Sequence, residues 1–295
     1  MLVSYILMFL IAIFAGFFGA LVGIGGGIVI VPALSIIFHL PIHTAIAASI
    51  VSVIATSIAG ARSYVDQQIT NVRLGMFLEV STTLGALAGA IVGVMVRGWI
   101  LAEVFAALIL YMAIDSFRTR KIEDRMIESG IYSDEASNDK IGRSLNLAGN
   151  YHDGAIHTDV SYQAENIVRG SLVSSLAGVG SGMLGIGGGV IKVAAMNSMM
   201  KIPMKVAVAT SKFMIGVTAA ISAVVYFMAG GIDFYVVAPV ALGTMLGATL
   251  GSSIMNKLRS RLIKTIFFAV MIYLGYQMFA KGLLSGFNID LPGML

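Results

Sequence analysis

Six apolar runs, at roughly 43–62, 74–96, 99–117, 204–228, 232–255 and 262–281, are each long enough to cross about 30 Å of hydrocarbon. Between them lie few charges: 12% of the 295 residues are charged and 58% are hydrophobic. A soluble domain carries about 25% charged residues, so most of this chain is expected to face lipid. Lipid cannot bond a free amide, which restricts crossing segments to helices unless a barrel closes on itself. The expected fold class is therefore an all-α polytopic membrane protein.

Two further segments, 2–39 and 168–201, are apolar but interrupted by one shared pentapeptide, Gly23-Ile24-Gly25-Gly26-Gly27 and Gly185-Ile186-Gly187-Gly188-Gly189. Four glycines in five positions should unwind a helix. The step of 162 from Gly23 to Gly185 also carries Pro41 onto Pro203 and Ser49 onto Ser211. Gly85, Gly89 and Gly93 match Gly243, Gly247 and Gly251 at an offset of 158, which reads as an internal repeat with one small gap. Residues 1–117 form the first membrane repeat and 168–295 the second.

The stretch 118–167 changes character, opening with Arg118, Arg120, Lys121, Glu123, Asp124 and Arg125. It has too few apolar residues to make a core and reads as a solvated linker. His152 and His157 lie in it, and two lone histidines in a polar loop are expected to be hydrated rather than metal-bound.

Basic residues favour the cytoplasmic side. If each glycine-broken segment enters and returns on one side, as a re-entrant hairpin of two helical pieces, then Arg62, Arg73, the linker, Lys201, Lys205 and the cluster at 257–264 all face the cytoplasm. Arg97 and Lys281 then face outside, and the second half is inverted relative to the first. Two inverted repeats, with six full transmembrane helices plus two broken re-entrant hairpins, form a transporter signature, because exchanging the conformations of related halves exposes one central site to alternate sides.

Composition narrows the chemistry further. With no cysteine there are no disulfides, thiolate metal sites or cysteine nucleophiles. The net charge of +4 follows from orientation preference alone, so no nucleic-acid partner is expected. Residues 1–18 lack a basic n-region and an evident cleavage site, and are expected to stay in the mature protein. No cofactor or metal is called for, since eighteen methionines without clustered histidine read as lipid-facing or core filler. No intramembrane nucleophile–base pair suggests an enzyme.

The expected site follows from the breaks. Unwound backbone at membrane depth has to line a cavity or be buried in protein. Gly23, Gly25, Gly26 and Gly27 should therefore meet Gly185, Gly187, Gly188 and Gly189 near the centre, offering bare amides and the positive ends of the apolar runs that follow to a small oxyanion. Lys212, nine residues after Pro203 and inside Ala209-Thr210-Ser211-Lys212-Phe213, sits near the midplane. There a charge costs a few kcal/mol without a partner or a wet cavity. It either anchors a substrate anion or pairs with Glu79 or Glu103. Ser49, Thr210 and Ser211 offer hydroxyl donors, to an anion or to their own helices. Glu79 and Glu103 are the candidates for proton coupling. The glycine ladders are expected to pack helices closely.

The run Gly16-Phe17-Phe18-Gly19-Ala20-Leu21-Val22-Gly23-Ile24-Gly25-Gly26-Gly27-Ile28-Val29-Ile30-Val31-Pro32-Ala33-Leu34 resembles the opening signature of the sulfite exporter TauE/SafE family. Gly178 to Val193, with Ala-Thr-Ser at 209–211, resembles that family's second half, and the likeness spans the chain outside 118–167. It departs from a strict repeat where Ala194 stands opposite Pro32, and in its long linker. The resemblance implies a prokaryotic plasma-membrane transporter moving sulfite, sulfoacetate or a similar small sulfur-containing anion, with export as the expected direction. An anion channel is the alternative, and the sequence leaves a homodimer open.

Overall fold

The computed structural model describes residues 2–22, 25–128, 142, 144–154, 157–255, 258 and 260–289. The chain folds as helices α1 (Leu2–Val22), α2 (Gly27–Pro32), α3 (Ile42–Asp66), α4 (Val72–Met95) and α5 (Gly98–Glu128). A hairpin of β1 (Gly149–Asp153) and β2 (Thr158–Tyr162) follows, then α6 (Ile167–Leu184), α7 (Gly189–Ala194), α8 (Met204–Met228), α9 (Phe234–Met255) and α10 (Ser260–Phe287). Among the described residues six helices, α1, α3, α4, α6, α8 and α9, are long and apolar enough to cross a membrane; they include the first pieces of both glycine-broken segments, and the expected spans at 99–117 and 262–281 are not among them. The fold is an all-α polytopic membrane protein, as composition required.

The repeat survives in detail. α2 and α7, α3 and α8, and the starts of α4 and α9 and of α5 and α10 are all displaced by the same 162 residues that separate Gly23 from Gly185. α2 and α7 each widen into a π-helical turn, Ala33–Ile37 and Ala195–Met199. Because Pro32 and Ala194 precede the same turn, the proline is not its cause. α3 and α8 are both entered through a proline held extended, Pro41 and Pro203, after a left-handed residue, His39 and Lys201.

The small gap expected in the repeat is absent up to α5. Gly247 lies against the carbonyl of Ile13, and Gly251 against that of Phe17. Gly85 and Gly89 meet the carbonyls of Ser175 and Val179, the positions that match Ile13 and Phe17 at 162. A glycine ladder with a period of four aligns equally well one turn away, and that created the offset of 158.

These contacts also settle the packing. α1 runs parallel to α9 of the other half, and α6 runs parallel to α4. α3 packs on α9 and on α8, α4 on α8, and α5 on α10. Each half thus supplies its long first helix to the other, and the equivalent pairs α3–α8 and α5–α10 pack on each other, the reciprocal pattern of a twofold relation. Tyr64 donates to the carbonyl of Ala20 at 2.6 Å, and its counterpart Tyr226 to that of Met183 at 3.0 Å. Each tyrosine satisfies a carbonyl in the last turn of a helix that ends at a glycine break.

The linker holds more structure than its composition suggests. Alternation in the β-hairpin turns Tyr151, Asp153, Val160 and Tyr162 inward, where all four are buried. Asp153 accepts from Lys205 of α8 at 2.6 Å, with both side chains almost fully buried. Asn71, the N-cap of α4, donates to the Leu147 carbonyl and to the Tyr162 hydroxyl, whose pKa burial pushes up to about 12. The membrane helices supply the core that the linker lacks. His152 is not simply hydrated: its ring lies 2.8 Å from Asp159 across the exposed face of the hairpin.

Candidate functional site

The glycine pentapeptides fail as helix because their backbone leaves the helical region. Gly25 and Gly26 have φ of 86° and 81°, and Gly185, Gly187 and Gly188 have 69°, 72° and 63°. A side chain at such angles would be strained, so the breaks are fixed locally by the residue type. Gly23, with Ile24, lies outside the described residues.

The two breaks meet. A Cβ placed on Gly27 would lie 2.7 Å from the Ser49 hydroxyl and 3.0 Å from the Ile186 Cα, and would press on the Gly185 carbonyl. Ser49 donates to that carbonyl at 2.7 Å, tying α3 of the first half to the break of the second. Thr56 donates to the Gly25 carbonyl at 2.9 Å, and Ser211 to the Gly189 carbonyl at 3.2 Å. The hydroxyls expected to face an anion are therefore engaged in holding the unwound backbone. Thr210 has another role, accepting the Asn71 amide at 3.0 Å.

Lys212 is fully buried on α8, its stem against Gly60 of α3 and its ammonium without a hydrogen-bond partner. It pairs with neither Glu79 nor Glu103. Glu103 is a half-buried residue of α5 beside Gly282, and its Oε1 also lacks a partner.

The cation beside Glu79 is Lys192, which sequence reasoning missed. Lys192 sits on α7, three residues past Gly189, with its side chain wholly buried. Its Nζ lies 2.7 Å from Thr218 Oγ1 and 3.4 Å from Glu79 Oε2. Thr218 donates to Glu79 Oε1 at 2.6 Å, and Thr82 and Thr83 add bonds at 3.0 and 3.2 Å. The sequence carries the signal, since Lys192 is a charge inside an apolar run, the criterion that singles out Lys212. A buried pair of this kind survives where hydrogen bonds satisfy the remaining lone pairs, and three hydroxyls do so here.

Paired helix breaks at the centre of a lipid-embedded bundle, with buried charge beside them, belong to membrane transporters rather than to enzymes. The family model described as sulfite exporter TauE/SafE matches residues 8–278, and the chain belongs to that family. It is 26% identical over 298 residues to "Probable membrane transporter protein YunE" of Bacillus subtilis (strain 168), covering 96% of this chain and 100% of that protein. It is 24% identical over 263 residues to "Probable membrane transporter protein YdhB" of the same organism, covering 89% and 94%. No solved structure matches. The chain is a multi-pass membrane transporter of the plasma membrane.

Proposed function

We propose that the protein is a secondary transporter for a small sulfur-containing oxyanion, such as sulfite or sulfoacetate, that works by alternating access in the direction of export. The observation that carries this reading is Lys212. A buried ammonium without a partner is costly in a bilayer, and a protein retains one where an anion will neutralise it. The family description supplies the sulfur-containing class. The meeting of the two breaks at Gly27 and Gly185 supports a central site beside them.

The reciprocal packing of the halves supports an inverted repeat, and the bond from the Glu165 amide to the Met200 carbonyl, which brings the ends of the second broken segment together, supports its re-entrant path. In this reading the serines Ser49 and Ser211 hold the glycine backbone open, and the anion approaches its amides and Lys212.

Replacing Lys212 with methionine tests it. Tracer counterflow of labelled sulfite or sulfoacetate in proteoliposomes should disappear. Thermal stability in detergent should hold or rise, since the change removes an unsatisfied buried charge worth about 1–3 kcal/mol or more. Undiminished counterflow would remove Lys212 from the site.

A further inference from the structure

Lys192 and Glu79 occupy the seam between the halves, one on α7 and one about 10 Å into α4. We propose that Lys192 is a second ligand for the transported anion, and that the Glu79 carboxylate holds its place until a proton releases it. This rests on the transport reading above and names the co-substrate of that site, one proton.

Around Glu79 stand three hydroxyls and one ammonium, a donor set that would serve a sulfur oxyanion as well as it serves a carboxylate. The contact between the charges is loose. At 3.4 Å it exceeds the roughly 2.7–2.9 Å of a charge-assisted bond, while the ammonium lies 2.7 Å from Thr218. The carboxylate is therefore the exchangeable partner of Lys192 and the threonine its fixed one.

The two side chains also differ in depth: that of Glu79 is 12% exposed and that of Lys192 is 0% exposed, so the carboxylate is the outer member of the pair and the ammonium the inner one. Packing does not require the pair. In the first repeat the matching positions are Ile30 and Thr56, and the position matching Glu79 in the second repeat is Ala241. The same architecture is therefore built there without charge, and Ile30 is as buried as Lys192.

Among the charges whose side chains the structure describes, no other competes for Glu79. Among the described residues, α6 carries Arg169, which is exposed, and α4 itself carries Arg73, also exposed. α8 carries Lys205, paired with Asp153, together with Lys212 and Tyr226, which bonds Met183. α5, which touches α7, carries Glu103, which makes no bond to Lys192. Among these, Lys192 is the charge that faces Glu79.

Protonation neutralises the Glu79 carboxyl, and the anion replaces it on Lys192 and Thr218. Charge at the seam is then conserved for a monoanion. For a dianion carried with one proton a net charge of minus one crosses, so an inside-negative membrane potential still drives export.

The test measures the KM for counterflow at equal pH on both sides, from about pH 6 to 8, with labelled sulfate and sulfoacetate, whose own charge is constant over that range. The wild-type KM should fall about tenfold or more from the alkaline to the acid end, as one-proton linkage allows. Glu79→Gln, which mimics the protonated state, should hold the acid value at every pH, and Glu79→Asp should restore a pH profile. Lys192→Met should raise KM at least tenfold throughout while the protein remains folded by thermal shift. A pH-independent wild-type KM, a Glu79→Gln profile like the wild type, or a normal KM in Lys192→Met would each overturn the inference. Absence of counterflow for every anion in the wild type would instead remove the transport reading beneath it.

Discussion

Among the described residues, three lysines of the second repeat are buried, and their surroundings differ. Lys205 has a tight acidic partner, Lys192 a loose one, and Lys212 none. Their counterparts in the first repeat are His43, Ile30 and Ile50, so the charges are additions to a shared plan. The Lys205–Asp153 pair is structural, because it fixes the linker hairpin to α8. Removing one partner of such a pair leaves the other charge buried alone, which costs about 3–5 kcal/mol. Lys205→Met should therefore undock the hairpin and expose β1, buried at Tyr151 and Asp153, to limited proteolysis. The double variant Lys205→Met with Asp153→Leu should recover most of the protection. A double variant as labile as the single one would mean that the pair is not what holds the hairpin.

At the scale of elements, the structure depends on places where two backbones approach without side chains between them. Gly247 lies against the Ile13 carbonyl so closely that no Cβ fits, whereas a Cβ on Gly180 would find only Ile191 at 3.7 Å and Leu108 at 4.0 Å. Gly247→Val should separate α1 from α9 and cost about 2 kcal/mol or more, read as lost thermal stability and poor yield. Gly180→Ala should stabilise by up to about 1 kcal/mol through helix propensity alone. Equal effects at the two sites would show that glycine count, not backbone contact, governs the packing.

Apolar length, the doubled pentapeptide and the period-four ladders made the helices, the breaks and the repeat legible from sequence, because each is a local property. What the sequence left hidden was relational. Nothing in the run Val190 to Met200 says that Lys192 meets Glu79, 113 residues away. Nor does a polar linker announce that Tyr151, Val160 and Tyr162 find their core on other helices.

At the scale of the whole molecule, the contacts sort themselves to two ends. One end gathers the linker hairpin, Asn71 between α3 and α4, Lys205, and the Glu165–Met200 bond. The other gathers His43, whose ring bonds the Val96 carbonyl, and Lys281, which bonds the Ser35 carbonyl. The basic residues divide between the same two ends, and the preference of basic residues for the cytoplasm predicts the linker end inside and the Arg97 end outside. An inverted repeat also places the α8–α9 turn at the outer end, because α8 begins beside the hairpin and then crosses. The absence of cysteine makes this directly measurable. A cysteine at His152, exposed on the hairpin, should react with an impermeant maleimide only in inside-out vesicles. A cysteine at Tyr235, exposed at the start of α9, should react only in intact cells or right-side-out vesicles. Labelling of both from one side would give α8 no crossing, and the two halves could not then exchange conformations around a shared site.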